Sequence, residues 1–237
     1  MLNENFTQLY NEITSKDVNL TGKLTRTLLK ASIDPLEYMS EIPSFYLDKD
    51  ISLTDFCCPE SIKSIGKYAF NECKNLTKIT IGTNITSIDS FAFSWCKSLT
   101  NITIPDNIAS IGDGVFLGCT GLKHIIWNVK NCQELGWGWK MAPIFGECSN
   151  VDTLTIGDNV EVLPDYIFKN CTGLKTVMLS SSVILMGSNI FAGCPNLTSI
   201  DFRGTKIQWQ NIQKNEGWNE NSVIKTVHCA DGDVELL

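Results

Sequence analysis

The chain is short of positive charge. Its 237 residues carry 19 Lys and Arg against 26 Asp and Glu, a net charge of −7. Nucleic acid and anionic membrane surfaces both need a basic patch, so neither is expected as a main partner. Long apolar runs are missing as well. None approaches the roughly 18 residues that a membrane helix needs, so no membrane insertion is expected. The opening stretch, MLNENFTQLYNEITSKDVNL, has neither a basic n-region nor an apolar h-region. No secretory signal is read there, which favours a virion or the cytoplasm over the cell surface. Histidine is scarce. His124 and His228 lie in different parts of the chain, and neither has a Ser, Cys or acidic residue at dyad spacing. There is no Gly-rich phosphate loop between a strand and a helix, and no C-x-x-C pair. The sequence therefore points to no catalytic residues, no cofactor and no metal.

What the chain does have is a period. Phe-x-x-Cys recurs at Phe70/Cys73, Phe93/Cys96, Phe116/Cys119, Phe145/Cys148, Phe168/Cys171 and Phe191/Cys194. The cysteines are 23, 23, 29, 23 and 23 residues apart. A fixed period in this range marks a solenoid with one short strand per coil. Three residues after each Cys stands an apolar position, the first being Leu76. Apolar residues alternating at period two follow, as Ile79/Ile81, Ile102/Ile104 and Ile125/Trp127. This reads as a strand with those side chains inward. After a turn such as IPDN or IGDN comes a second apolar pair three apart, for example Ile62/Ile65 and Ile108/Ile111, closing the coil's other side. A degenerate copy precedes these, with Met39, Ile42, Leu47, Leu53, Phe56 and Cys58 in phase and Asp50 in place of Cys. Seven coils from about 39 to 204, stacked at about 4.8 Å, make a core roughly 30 Å long.

The period predicts a spine of stacked phenylalanines and a ladder of small buried thiols. Equivalent positions on neighbouring coils have parallel Cβ vectors about 4.8 Å apart, beyond the ~3.8 Å typical of disulfides. Zinc needs converging ligands, and a ladder does not converge.

LTNITIPDNIASIGDGVFLGC (Leu99 to Cys119) and LTKITIGTNITSIDSFAFSWC (Leu76 to Cys96) resemble the BspA-like leucine-rich repeats almost position by position. The resemblance covers about 39–230 and reaches the tail, where GTKIQWQNI and IKTVHCADG are similar to that family's C-terminal cap. It implies an α+β repeat solenoid of about seven 23-residue coils, with strands in parallel sheets, a helical N-terminal cap and a C-terminal cap. The expected division is 1–38 as a helical cap or docking segment, 39–204 as solenoid and 205–237 as cap. Phe6, Leu9, Tyr10 and Ile13 share one helical face, and Leu24 and Leu28 suggest a second short helix ending before Pro35. The resemblance also implies a non-enzymatic scaffold that recognises another protein or a surface glycan. A virion-associated or assembly-docked role, as in members carried by bacteriophages and prophages, is set against a bacterial cell-surface adhesin.

Two regions are candidate binding sites. One is the outward row of the strands, containing His124, Ile126 and Met178. The other is the irregular 29-residue step, whose six extra residues fall in WNVKNCQELGWGWKMAPIF (127–145) with Trp137 and Trp139. Insertions in solenoids become loops on one face, and exposed Trp anchors many interfaces. Against this stand a plain solvated face and tryptophans that only fill the core. Trp209 and Trp218 are expected to pack the last coil.

Overall fold

The computed structural model of the chain describes residues 39–130, 134–135 and 143–236. The helical readings of 1–38, and Trp137 and Trp139, lie outside these residues.

Each coil contributes one strand to a front column. Asn101–Ile104, His124–Trp127, Thr153–Ile156, Thr176–Leu179, Ser199–Phe202 and Thr226–Cys229 pair in parallel, and Gly232–Glu235 closes the edge antiparallel. Asp55–Cys57 and Lys78–Thr80 pair with each other in the same phase. The register is that of the repeat: Ile102 faces Ile125, Ile125 faces Leu154, Leu154 faces Val177 and Val177 faces Ile200. The burial alternation follows from the pleat, since successive side chains point to opposite faces. Two-residue strands form the back, running from Glu41–Ile42 through Ser110–Ile111 to Glu134–Leu135, with a second set from Val162–Leu163 to Gln213–Lys214.

Between back and front the chain runs without helix or strand, yet its backbone polar groups are paired. In the first coil the amides of Phe45, Leu47 and Lys49 donate to Lys67, Ala69 and Asn71 of the next coil. The amides between them, of Tyr46, Asp48 and Asp50, donate back to Pro43, Phe45 and Leu47. Turning alternate amides up and back requires left-handed backbone at every fourth residue. Phe45 and Lys49, Tyr68 and Glu72, Phe91 and Trp95 all have φ near +60°. Glycine, which takes that region without a Cβ penalty, stands at the same positions as Gly114 and Gly118.

The predicted spine is present. Phe70, Phe93, Phe116, Phe145, Phe168 and Phe191 are buried and stacked, with centroids 5.2, 5.4, 5.3, 5.7 and 6.1 Å apart. Trp127 fills an inward slot held by isoleucine in three other coils, as Ile81, Ile104 and Ile156, and sets its ring edge-on to Phe145 and Phe168. The ladder thiols are buried and not joined in disulfides. They also act as donors: Cys96 Sγ to the Phe70 carbonyl at 3.2 Å, Cys119 to Phe93 at 3.1 Å and Cys148 to Phe116 at 3.1 Å. Burial pushes the Cys119, Cys148 and Cys171 thiols well above their ordinary pKa, and Cys194 up to about 12, because a thiolate there has lost its water.

One expectation is corrected. The front column holds eight strands, so the solenoid has about eight coils of ~23 residues rather than seven. Residues 226–229 stack on 199–202, with Ile200 facing Val227. Hydrogen bonds from Phe191 to Trp218 and from Gly193 to Glu220 put Asn219 and Ser222 in the phenylalanine and cysteine positions, so spacing alone hid this coil. The described residues form a β-solenoid with little helix. Among the described residues the only α-helix is Lys206–Asn211, capped by Thr205 and Gln208 in a capping box. It replaces a turn and buries Trp209. Trp209 and Trp218 pack the last coil as expected, edge-on to each other at 5.9 Å.

Candidate recognition face

The outward side chains of the front column form two rows. One row runs Asn101, His124, Thr153, Thr176, Ser199, Thr226; the other runs Thr103, Ile126, Thr155, Met178, Asp201, His228. Both are fixed by pleat and register, so no loop is needed to place them. Most positions are small and polar. Ile126 breaks the pattern at 39% exposed, a large apolar side chain on the solvent side of a regular sheet. Met178 is half-buried two strands away. Between them Thr155 donates weakly to the Met178 sulfur at 3.9 Å. Ile126, Thr155 and Met178 are therefore consecutive neighbours across three strands, a narrow apolar strip in a hydroxyl-rich field.

His124 flanks this strip in the first row, its Nδ1 3.4 Å from Asp152 Oδ1 on an exposed edge. His228 Nδ1 lies 3.0 Å from Asp233 Oδ1 across the final hairpin. That hydrogen bond, with the negative charges of Asp233, Asp201 and Glu235, holds its pKa above the ordinary value against an opposing desolvation. Cys229 is adjacent, but desolvation raises its thiol above the usual range, the reverse of what an activated nucleophile needs. Among the described residues no three His, Cys, Asp or Glu side chains are grouped to hold a metal ion. Nor, among them, is any helix long and apolar enough to cross a membrane.

Sequence reasoning missed two features. Beside the strip is a depression of about 230 Å³ lined by Met178, Asp201, Arg203, His228, Cys229 and Ala230. It joins residues from three coils, and only the strand alternation of TVHCADGDVE hinted that the tail belongs to the same sheet. The second is a surface stack of Phe45, Tyr68 and Phe91 at 5.1 and 5.2 Å. These are the left-handed residues described above. Their faces are turned to one another, which leaves mainly edges to solvent.

A model of the BspA type leucine rich repeat region matches residues 40–138 and 142–227, in six copies. The chain belongs to this family. The solved leucine-rich repeat protein from T. pallidum is 26% identical, with a TM-score of 0.54 over 67% of this chain and 72% of that one. A leucine-rich repeat protein from Eubacterium ventriosum is also 26% identical, with a TM-score of 0.58 over 76% of this chain and 47% of its own. The chain thus spans about half of that second protein. No curated protein matches the chain. BspA-type repeats form interaction scaffolds, and the outward rows of this member suit that architecture.

Proposed function

We propose that this chain is a non-enzymatic recognition scaffold whose front face binds another protein or a surface glycan. One observation carries the reading: the Ile126–Thr155–Met178 strip on the solvent side of an otherwise hydroxyl-rich sheet. A strand surface with no partner gains nothing from an exposed Ile in place of Thr, and apolar strips rimmed by polar groups mark interaction sites. His124 supplies a polar contact at the rim. Trp137 and Trp139 lie in the insertion that begins directly after Ile126, and we assign them to the same site. The eighth coil carries the solenoid past the expected end at 204; we further propose that residues 205–237 complete and close it. On this reading 1–38 docks the scaffold, through Phe6, Leu9, Tyr10 and Ile13, into a larger assembly such as a virion.

Ile126→Thr and Met178→Thr copy residues the sheet already uses, so both variants should fold. Capture of the cognate partner should then fall at least tenfold with unchanged melting. Trp139→Ala should do the same. Full capture by the folded variants would refute the site. The docking role is checked by co-sedimentation with particles, which Phe6→Ser and Leu9→Ser should abolish while the front face still binds.

A further inference from the structure

The depression beside the apolar strip is unequal in how its charged groups are used. Arg203 Nη1 is held by Asp158 Oδ1 at 2.8 Å. The His228 imidazole faces Asp233 at 3.0 Å. The Asp201 carboxylate, also on the lining, makes no hydrogen bond or ion pair with another side chain among the described residues. Met178 and Ala230 add apolar wall. An aliphatic wall leading to a free carboxylate is complementary to a lysine side chain, whose methylenes lie on apolar surface while the ammonium reaches an anion. The surrounding charge is mainly acidic: Asp231, Asp233 and Glu235 belong to the same hairpin, against Lys206 beside Cys229 and the His228 imidazole opposite Asp201, while Arg203 is paired with Asp158.

Register supplies the spacing. Ile126, Thr155, Met178 and Asp201 are successive partners, so Ile126 and Asp201 are three strand spacings apart, about 14 Å. An extended peptide rises about 3.4 Å per residue and returns to the same face every second residue. Four residues therefore span the gap and leave both end side chains pointing down. Resting on the reading that this face is the recognition surface, we infer that its occupant is an extended segment of a partner protein with the pattern apolar-x-x-x-Lys. The apolar side chain sits on Ile126 and the lysine enters the Met178–Asp201 depression.

The test uses the full chain and the fluorescent peptide Thr-Leu-Thr-Ser-Thr-Lys-Thr, with versions carrying norleucine or Glu for Lys, and one with Leu and Lys three apart. Amide shifts of Met178, Asp201 and His228 report the location. The Lys peptide should bind at least fivefold more tightly than the other three, and its affinity should fall between roughly 50 and 300 mM salt. Asp201→Asn should remove that advantage and leave the norleucine peptide unaffected. Equal binding of the Lys, norleucine and Glu peptides overturns the lysine assignment, as does binding of none at about 5 mM. So does salt-insensitive binding of neutral oligosaccharides that shifts the same amides. Undiminished partner capture by Ile126→Thr and Met178→Thr overturns the underlying reading instead, so the two failures are distinguishable.

Discussion

Replacing Phe116 and Phe191 by Ala, separately, tests the nearest-neighbour logic of the spine. Both rings are fully buried, so both variants lose the transfer energy of a phenylalanine and leave a cavity, about 3–5 kcal/mol each. They differ in stacking partners. Phe116 has two, Phe93 at 5.4 Å and Phe145 at 5.3 Å. Phe191 has one, Phe168 at 6.1 Å, because the next coil offers Asn219 at that position. An aromatic pair contributes about 0.5–1.5 kcal/mol beyond area. Phe116→Ala should therefore cost about 1 kcal/mol more than Phe191→Ala. In a solenoid that sums coil and interface energies, the difference reflects one lost interface. Urea unfolding monitored by far-UV circular dichroism, with m shared between variants, measures both. Equal costs, or a larger cost at Phe191, would refute the stacking argument and leave only local burial.

Three further outcomes are expected. A thiol reagent applied to the native protein should modify exposed Cys57 and spare Cys73, Cys96, Cys119, Cys148, Cys171 and Cys194 until urea unfolds the chain; rapid native labelling of these six would contradict their burial. Gly118→Ala should destabilise by about 1–3 kcal/mol, because a Cβ there falls 2.6 Å from the Trp95 ring at a φ of +70°. In a Trp95→Ala background most of that cost should vanish, and a persistent cost would assign it to the backbone alone. An NMR titration should place the His228 pKa above its ordinary value of 6.5, and Asp233→Asn should lower it. The protonated form is the one the fold favours, so its contribution is complete below about 6.5 and fades as pH rises through the raised native value; an unmoved pKa in Asp233→Asn would exclude the hydrogen bond as cause.

The period in Phe and Cys made the stack, its register and its inward faces legible, because a 23-residue repeat leaves each residue above its equivalent. The outward rows with Ile126 and Met178 were legible for the same reason. The eighth coil was not. Asn219 and Ser222 keep the backbone path of Phe and Cys without their side chains, and the backbone path has no residue signature. The alternating amides were equally hidden, since Lys49, Glu72 and Trp95 at one left-handed position share no chemistry, only a φ angle imposed by the coil beside them.

By itself the sequence determined the coil, because alternation and spacing are local properties that steric and hydrophobic rules convert directly into a strand, a turn and a buried ring. Only tertiary structure decided the depression, where Met178, Asp201 and His228 come from successive coils and share a wall. It also decided which charges there are already committed, because pairing Arg203 with Asp158 joins residues 45 apart in the chain. No periodic pattern encodes such a pair; it depends on where two coils bring their edges together.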